Sequence, residues 1–190
     1  MIPTPVLAGS GHRVLRCNLI LAGIDEQVLA VNCGLSSTAG SCELERSPSN
    51  MGDHRVRLDD GVGPDLHDEH SWQRVSCALQ TFDETVPAEL LGRESLVWID
   101  TQGHESHVLR GAKNLFSSGT PFVMEFWPYG LVRQGCSCAE ITEQLSSCTV
   151  YDLHDGLRQL SGNNLRDLFD CFLSEERKNH SPNTDLLVLP

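Results

Sequence analysis

Residues 96–128, LVWIDTQGHESHVLRGAKNLFSSGTPFVMEFWP, constrain the fold more than any other part of the chain. They read as strand, tight turn, amphipathic helix and second strand. Residues 96–99 form an apolar run too short and too uniform for a surface strand, which predicts a buried parallel one. Asp100 ends that run, and Gly103 relaxes the turn after it. Val108, Leu109, Ala112, Leu115 and Phe116 then fall on one stripe of a single helix. Gly119 supplies a stop, Pro121 prevents continuation, and residues 122–126 make a second apolar run broken only by Glu125. The whole is a βαβ unit.

Its chemical content follows from the geometry of such units. Ligands of open parallel sheets bind beyond the carboxyl ends of the strands. Asp100 closes one strand and Glu125 lies near the end of the next, so both carboxylates should approach one crevice. His104 and Glu105 open the helix between them, and its N-terminus points to the same place. Plainer explanations stand beside this one. An acid at a helix start is favoured by the macrodipole, and a strand-terminal Asp can simply cap a loop. Trp98, inside the first strand, reads as core, whereas Trp127 and Tyr129 could form an apolar lip on a pocket.

The remaining segments extend the pattern. Helices are predicted over residues 12–21, with Val14, Leu15, Asn18 and Leu19 inward, over 138–145 and over 164–178; strands over 27–33, 74–82, 149–153 and 186–189. Residues 41–45 and 55–58 suit a hairpin, and residues 1–10, with two prolines, suit a loop. Alternating strands and helices without a long linker indicate one α/β domain across all 190 residues. Residues 59–70 hold five acids and no Lys or Arg, the composition of a solvated loop. The alternative there is a hard-cation site on Asp65, His67, Asp68, Glu69 and His70, joined by Asp100 in a metal-dependent hydrolase; no spacing matches an EF-hand or HExxH pair.

Charge and cysteine content narrow the partners. With 14 Lys and Arg against 26 Asp and Glu, the formal net charge is −12, which argues against a nucleic-acid partner. Eight cysteines include no CxxC pair, so no zinc site is expected and most read as reduced core thiols. No apolar stretch has the length needed to span a bilayer, and the N-terminus lacks the order of a secretory signal. The expectation is a cytoplasmic protein with no membrane partner.

VWIDTQGHESHVLRGAKNLF followed by PFVMEFWP resembles the FkbM family of S-adenosylmethionine-dependent methyltransferases. NLILAGIDEQVLAVNCGLSS, SPSNMGDHRV and LQTFDE are similar to further elements of that family, so the likeness covers roughly residues 15–130. It implies a Rossmann-like class I methyltransferase sandwich with a mostly parallel sheet. It also implies methyl transfer from S-adenosylmethionine to a hydroxyl of a small molecule or carbohydrate. Asp100, His104 and Glu125 would be catalytic, and Asn32, Cys33, Ser36 and Asp100 would hold the cofactor. Asn50, Gly52, His54 and Glu105 would face the substrate, with no metal. The chain departs from the family at its start. Gly9, Ser10 and Gly11 follow no predicted strand, and no acid precedes Ile24 to take the ribose hydroxyls. The expected fold therefore lacks its first strands, leaving an exposed sheet edge open to self-association. A non-catalytic remnant that binds a partner is the competing expectation.

Overall fold

The computed structural model describes residues 2–5, 10–50, 52–57, 65–176 and 182–190. Eleven strands in three sheets alternate with helices among those residues. The chain opens with β1 (Ile2–Pro5), α1 (Ser10–Ala22) and β2 (Val28–Val31), and β1 pairs β2 in parallel. A strand thus precedes the glycine patch, correcting the loop expected over residues 1–10; Gly9 lies outside the described residues. On α1, Leu19 is buried and Leu15 half-buried, but Val14 and Asn18 are exposed rather than inward. Gly23 stops the helix with φ +68°, a backbone that suits only glycine comfortably.

A four-stranded sheet follows, in the order β3 (Gly34–Leu35), β6 (Gln73–Gln80), β4 (Gly40–Arg46), β5 (Arg55–Arg57). The expected hairpin is present: β4 and β5 pair antiparallel, Glu45 opposite Arg55. After β6 comes the short helix α2 (Phe82–Thr85), opened by a Thr81–Glu84 capping box. Residues 58–64, which hold the first half of the acid-rich segment, are outside the described residues.

The five-stranded sheet carries the βαβ unit. Its order is β10 (Arg158–Leu160), β9 (Thr149–Asp152), β11 (Thr184–Leu189), β8 (Phe122–Phe126), β7 (Val97–Ile99). β7 and β8 are parallel with Ile99 opposite Met124, as the apolar runs predict. The other pairings in this sheet are antiparallel, because β11 inserts between β8 and β9 in the reverse direction. The sheets are therefore mixed, and α/β is the fold class that stands.

β7 lies at the sheet's edge and is not enclosed. Ile99 is buried, but Leu96 and Trp98 are 59% and 60% exposed, so Trp98 is not core. The single helix expected after it is two, α3 (Glu105–Arg110) and α4 (Lys113–Ser117). The break falls at Gly111 for a steric reason: a Cβ there would sit 2.2 Å from the Ser36 carbonyl oxygen. Chain and sheet are pressed together at that point.

α5 (Pro128–Arg133), α6 (Cys138–Gln144) and α7 (Gly162–Glu176) complete the layer over the sheet. Ser137 and Glu140 form a reciprocal capping box that starts α6. The main core gathers Leu35, Phe82, Val108, Leu115, Phe122 and Leu186 with their neighbours, so α3, α4 and the sheet share one apolar interior. All eight cysteines are free. Among the described residues, no helix is long and apolar enough to cross a membrane.

Candidate functional site

Asp100, Glu105 and Glu125 come together at the carboxyl ends of β7 and β8. One carboxylate oxygen from each lies within 4.8 Å of the others. The turn that makes this possible is strained toward glycine. Gln102 and Gly103 have φ of +54° and +97°, and a Cβ on Gly103 would stand 2.5 Å from the Gly130 backbone. This close approach tucks the start of α3 under α5 and turns Glu105 inward.

Glu105 is completely buried, and its Oε1 accepts from Thr101 N (2.8 Å), Thr101 Oγ1 (3.0 Å) and Gly103 N (3.3 Å). Its Oε2 is buried without a partner, as is Oε2 of Glu125. Glu125 Oε1 accepts from Asn183 Nδ2 at 3.2 Å, and Asp100 Oδ1 accepts from Gln102 Nε2 at 2.7 Å. Loss of water raises the Glu105 carboxyl to about 7 against its backbone donors. Burial first, then the charges of Glu105, Asp100 and Asp185, push Glu125 to about 8. Proton release from these groups therefore falls near neutrality, where general acid–base work is efficient.

His104 starts α3 but faces the other way. It is 2% exposed and joins Ser36 to Gln134 in one hydrogen-bonded chain. Gln134 Nε2 donates to the Val56 carbonyl at 2.5 Å, which leaves Gln134 Oε1 to accept from His104 Nδ1 at 3.2 Å. Nε2 of His104 is then the acceptor for the Ser36 hydroxyl at 3.0 Å. His107 stacks on the ring with centroids 4.4 Å apart. Burial, then His107, lowers His104 to about 4, so the ring is neutral across the physiological range. A cleft of about 680 Å³ is lined by Ser36, Val56, Arg57, Arg74, His104 and His107 among others.

The remaining expected residues are scattered. Asn32 is exposed after β2, while Cys33 is buried, its thiol pKa raised by that burial and by Cys77. Asn50 and Gly52 form a turn, with Asn50 Oδ1 accepting from Gly52 N at 3.0 Å. Beside them, His54 Nδ1 accepts from Ser47 N at 3.2 Å. None of these five lines the cleft. Trp127 and Tyr129 are buried, not a lip: Arg55 stacks on the Trp127 ring, and the Tyr129 hydroxyl donates to Glu69 at 2.8 Å.

The acid-rich segment divides three ways. His67 Nε2 lies 2.8 Å from Glu176 Oε1, and Glu69 is buried against Arg55 and Arg133. Asp65, Asp68 and His70 remain as an exposed group, apart from Asp100. Gln134 is the site residue that the sequence reading missed. Pro128 at the first position of a helix marks α5, and so offers a signal for the element that carries Gln134. Compared with family models, curated proteins and solved structures, the chain matches none.

Proposed function

We propose that this domain is an O-methyltransferase of FkbM type, taking its methyl group from S-adenosylmethionine and passing it to a hydroxyl of a small molecule or carbohydrate. The observation that carries this reading is the parallel β7–β8 pair with Asp100, Glu105 and Glu125 gathered at its carboxyl end. In this reading the five-stranded sheet is part of a Rossmann-like sandwich, and the setting is cytoplasmic. The cofactor supplies an electrophilic methyl on a sulfonium, and the protein supplies alignment and electrostatics.

Glu125 is the residue best suited to accept the hydroxyl proton, since burial and neighbouring charge hold its carboxyl at about 8. Asp100, exposed at the strand end, stands at the junction of donor and acceptor. Ser36 offers a hydroxyl at the cleft, and the neutral His104 behind it fixes that hydroxyl's direction. With both ring nitrogens engaged, His104 acts by positioning. The cleft's volume suits a nucleoside-sized ligand. His104 lines it and Glu105 belongs to the carboxylate group, so the two sites border one helix start.

One observation favours the competing, non-catalytic remnant. Among the described residues the β1–β2 pair forms its own sheet, leaving the outer edge of β7 without a strand. The same bare edge, with Trp98 exposed, is the surface through which we infer self-association. Calorimetric titration with S-adenosylmethionine and with its demethylated product separates the readings. Saturable heat that Asp100→Ala abolishes supports methyl transfer, whereas no heat at millimolar ligand leaves the remnant. Glu125→Gln should lower turnover more than cofactor affinity; an equal loss of both would remove Glu125 from the acceptor side.

A further inference from the structure

We propose that Asp100, Glu105 and Glu125 bind a hard divalent cation, of the Ca²⁺, Mg²⁺ or Mn²⁺ class, at the carboxyl ends of β7 and β8. The inference goes beyond methyl transfer and does not depend on it. Two independent observations meet here. Three carboxylate oxygens converge within 4.8 Å, close enough for one ion to touch all three. Glu105, a member of that group with no solvent exposure, keeps Oε2 buried and unpartnered, and so does Glu125.

The way the three side chains are held fits ligation. Each has one oxygen fixed by a hydrogen-bond donor: Thr101 and Gly103 for Glu105, Asn183 for Glu125, Gln102 for Asp100. The other oxygen of both glutamates is left over. Outer donors that orient a carboxylate while leaving it a free oxygen are the support a metal ligand needs. Among the described residues no ion pair offsets these acids, so in their ionised form they repel one another unless a cation lies between them. The donor set is all oxygen, without His or Cys, which selects hard ions over zinc or copper. Asp100 is exposed, so the ion would keep coordination positions open toward solvent and an oxygen ligand.

The test is direct titration of the metal-free full chain with CaCl2, and separately MnCl2, without S-adenosylmethionine. Calorimetry and the Mn²⁺ paramagnetic resonance signal report binding. Saturable one-to-one binding and a rise in Tm are expected for the parent chain. Asp100→Asn and Glu125→Gln should each weaken binding roughly tenfold or more. Glu105→Gln should do likewise while keeping its Oε1 contacts. Asp100→Asn alters an exposed side chain, so its fold, checked by circular dichroism, guards against misreading a collapsed variant. No saturable binding at millimolar ion overturns the site. So does binding that survives Asp100→Asn but is lost in His70→Ala, which would place the ion on Asp65, Asp68 and His70. Neither result bears on cofactor titration, so the two proposals fail separately.

Discussion

Among the described residues three glutamates, Glu45, Glu69 and Glu105, have no solvent exposure at all, and the protein treats them in two ways. Glu45 and Glu69 sit in a lattice of arginines. Arg57 reaches Glu45 at 2.5 Å and Arg133 reaches it at 2.7 Å, while Arg55 and Arg133 both hold Glu69. Glu105 has backbone and hydroxyl donors on one oxygen, nothing on the other, and two further acids for company. The first arrangement cancels charge and joins β4, β5 and α5 into one body. The second gathers acids without a counter-charge at the tips of two parallel strands. A buried acid matched by cations is structural bookkeeping, and one left unmatched in a crevice is a candidate for chemistry.

The largest effect should come from breaking the matched group. Arg55 is 4% exposed, holds Glu69 and Asp53, and stacks between the Trp72 and Trp127 rings. Arg55→Met keeps much of the apolar contact but leaves Glu69 short of a cation. Urea denaturation at neutral pH should show a loss of about 3–5 kcal/mol. A loss of roughly 1 kcal/mol or less would mean that solvent already reaches Glu69, and the contrast between the two groups would collapse.

The unmatched group should announce itself through pH. Glu105 and Glu125 hold protons in the folded chain at pH values where the unfolded chain has released them. The native state then binds more protons, so stability falls as pH rises from near 4.5 to about 7 for Glu105 and about 8 for Glu125. For Glu105 alone that displacement corresponds to about 3 kcal/mol. Glu125→Gln removes one of the charges and should flatten the slope, making the variant more stable than the parent at pH 8. A parent stability that is level across this range would show the acids to be solvated.

How much of this contrast the sequence carries depends on distance along the chain. The βαβ unit is legible because apolar runs, a glycine stop and a proline all lie within residues 96–128, and β8 falls where the run predicts. The proximity of Asp100 and Glu125 follows from parallel pairing. What fails depends on remote partners. The break at Gly111 is imposed by Ser36, far off in the chain just after β3, whose carbonyl fills the space of a side chain. β11 reads as an apolar strand in sequence, yet composition carries no direction, so its reversed insertion was not legible. Trp98 looks like core until the strand beside it proves to be on one side only. The arginine lattice draws on residues 45–133, and nothing local marks Arg133 as the partner of Glu45.

A third solution to burying a titratable group sharpens the comparison and carries the smallest effect. His104 has neither a counter-charge nor an unbalanced one: it stays neutral, with each nitrogen given one partner of the right kind. Because its folded pKa lies at about 4, below the ordinary 6.5, its contribution is lost as pH falls through that interval. Ser36→Ala takes away the hydroxyl that Nε2 accepts from, and the ring is only 2% exposed. A buried acceptor left unsatisfied costs about 1–3 kcal/mol, which denaturation at pH 7 should resolve. Ser36→Thr retains the donor and should recover most of that loss if the added methyl is tolerated by the cleft wall. An unchanged stability in Ser36→Ala would mean that water from the cleft replaces the hydroxyl. The His104 nitrogen would then be served by solvent and no longer by a fixed protein partner.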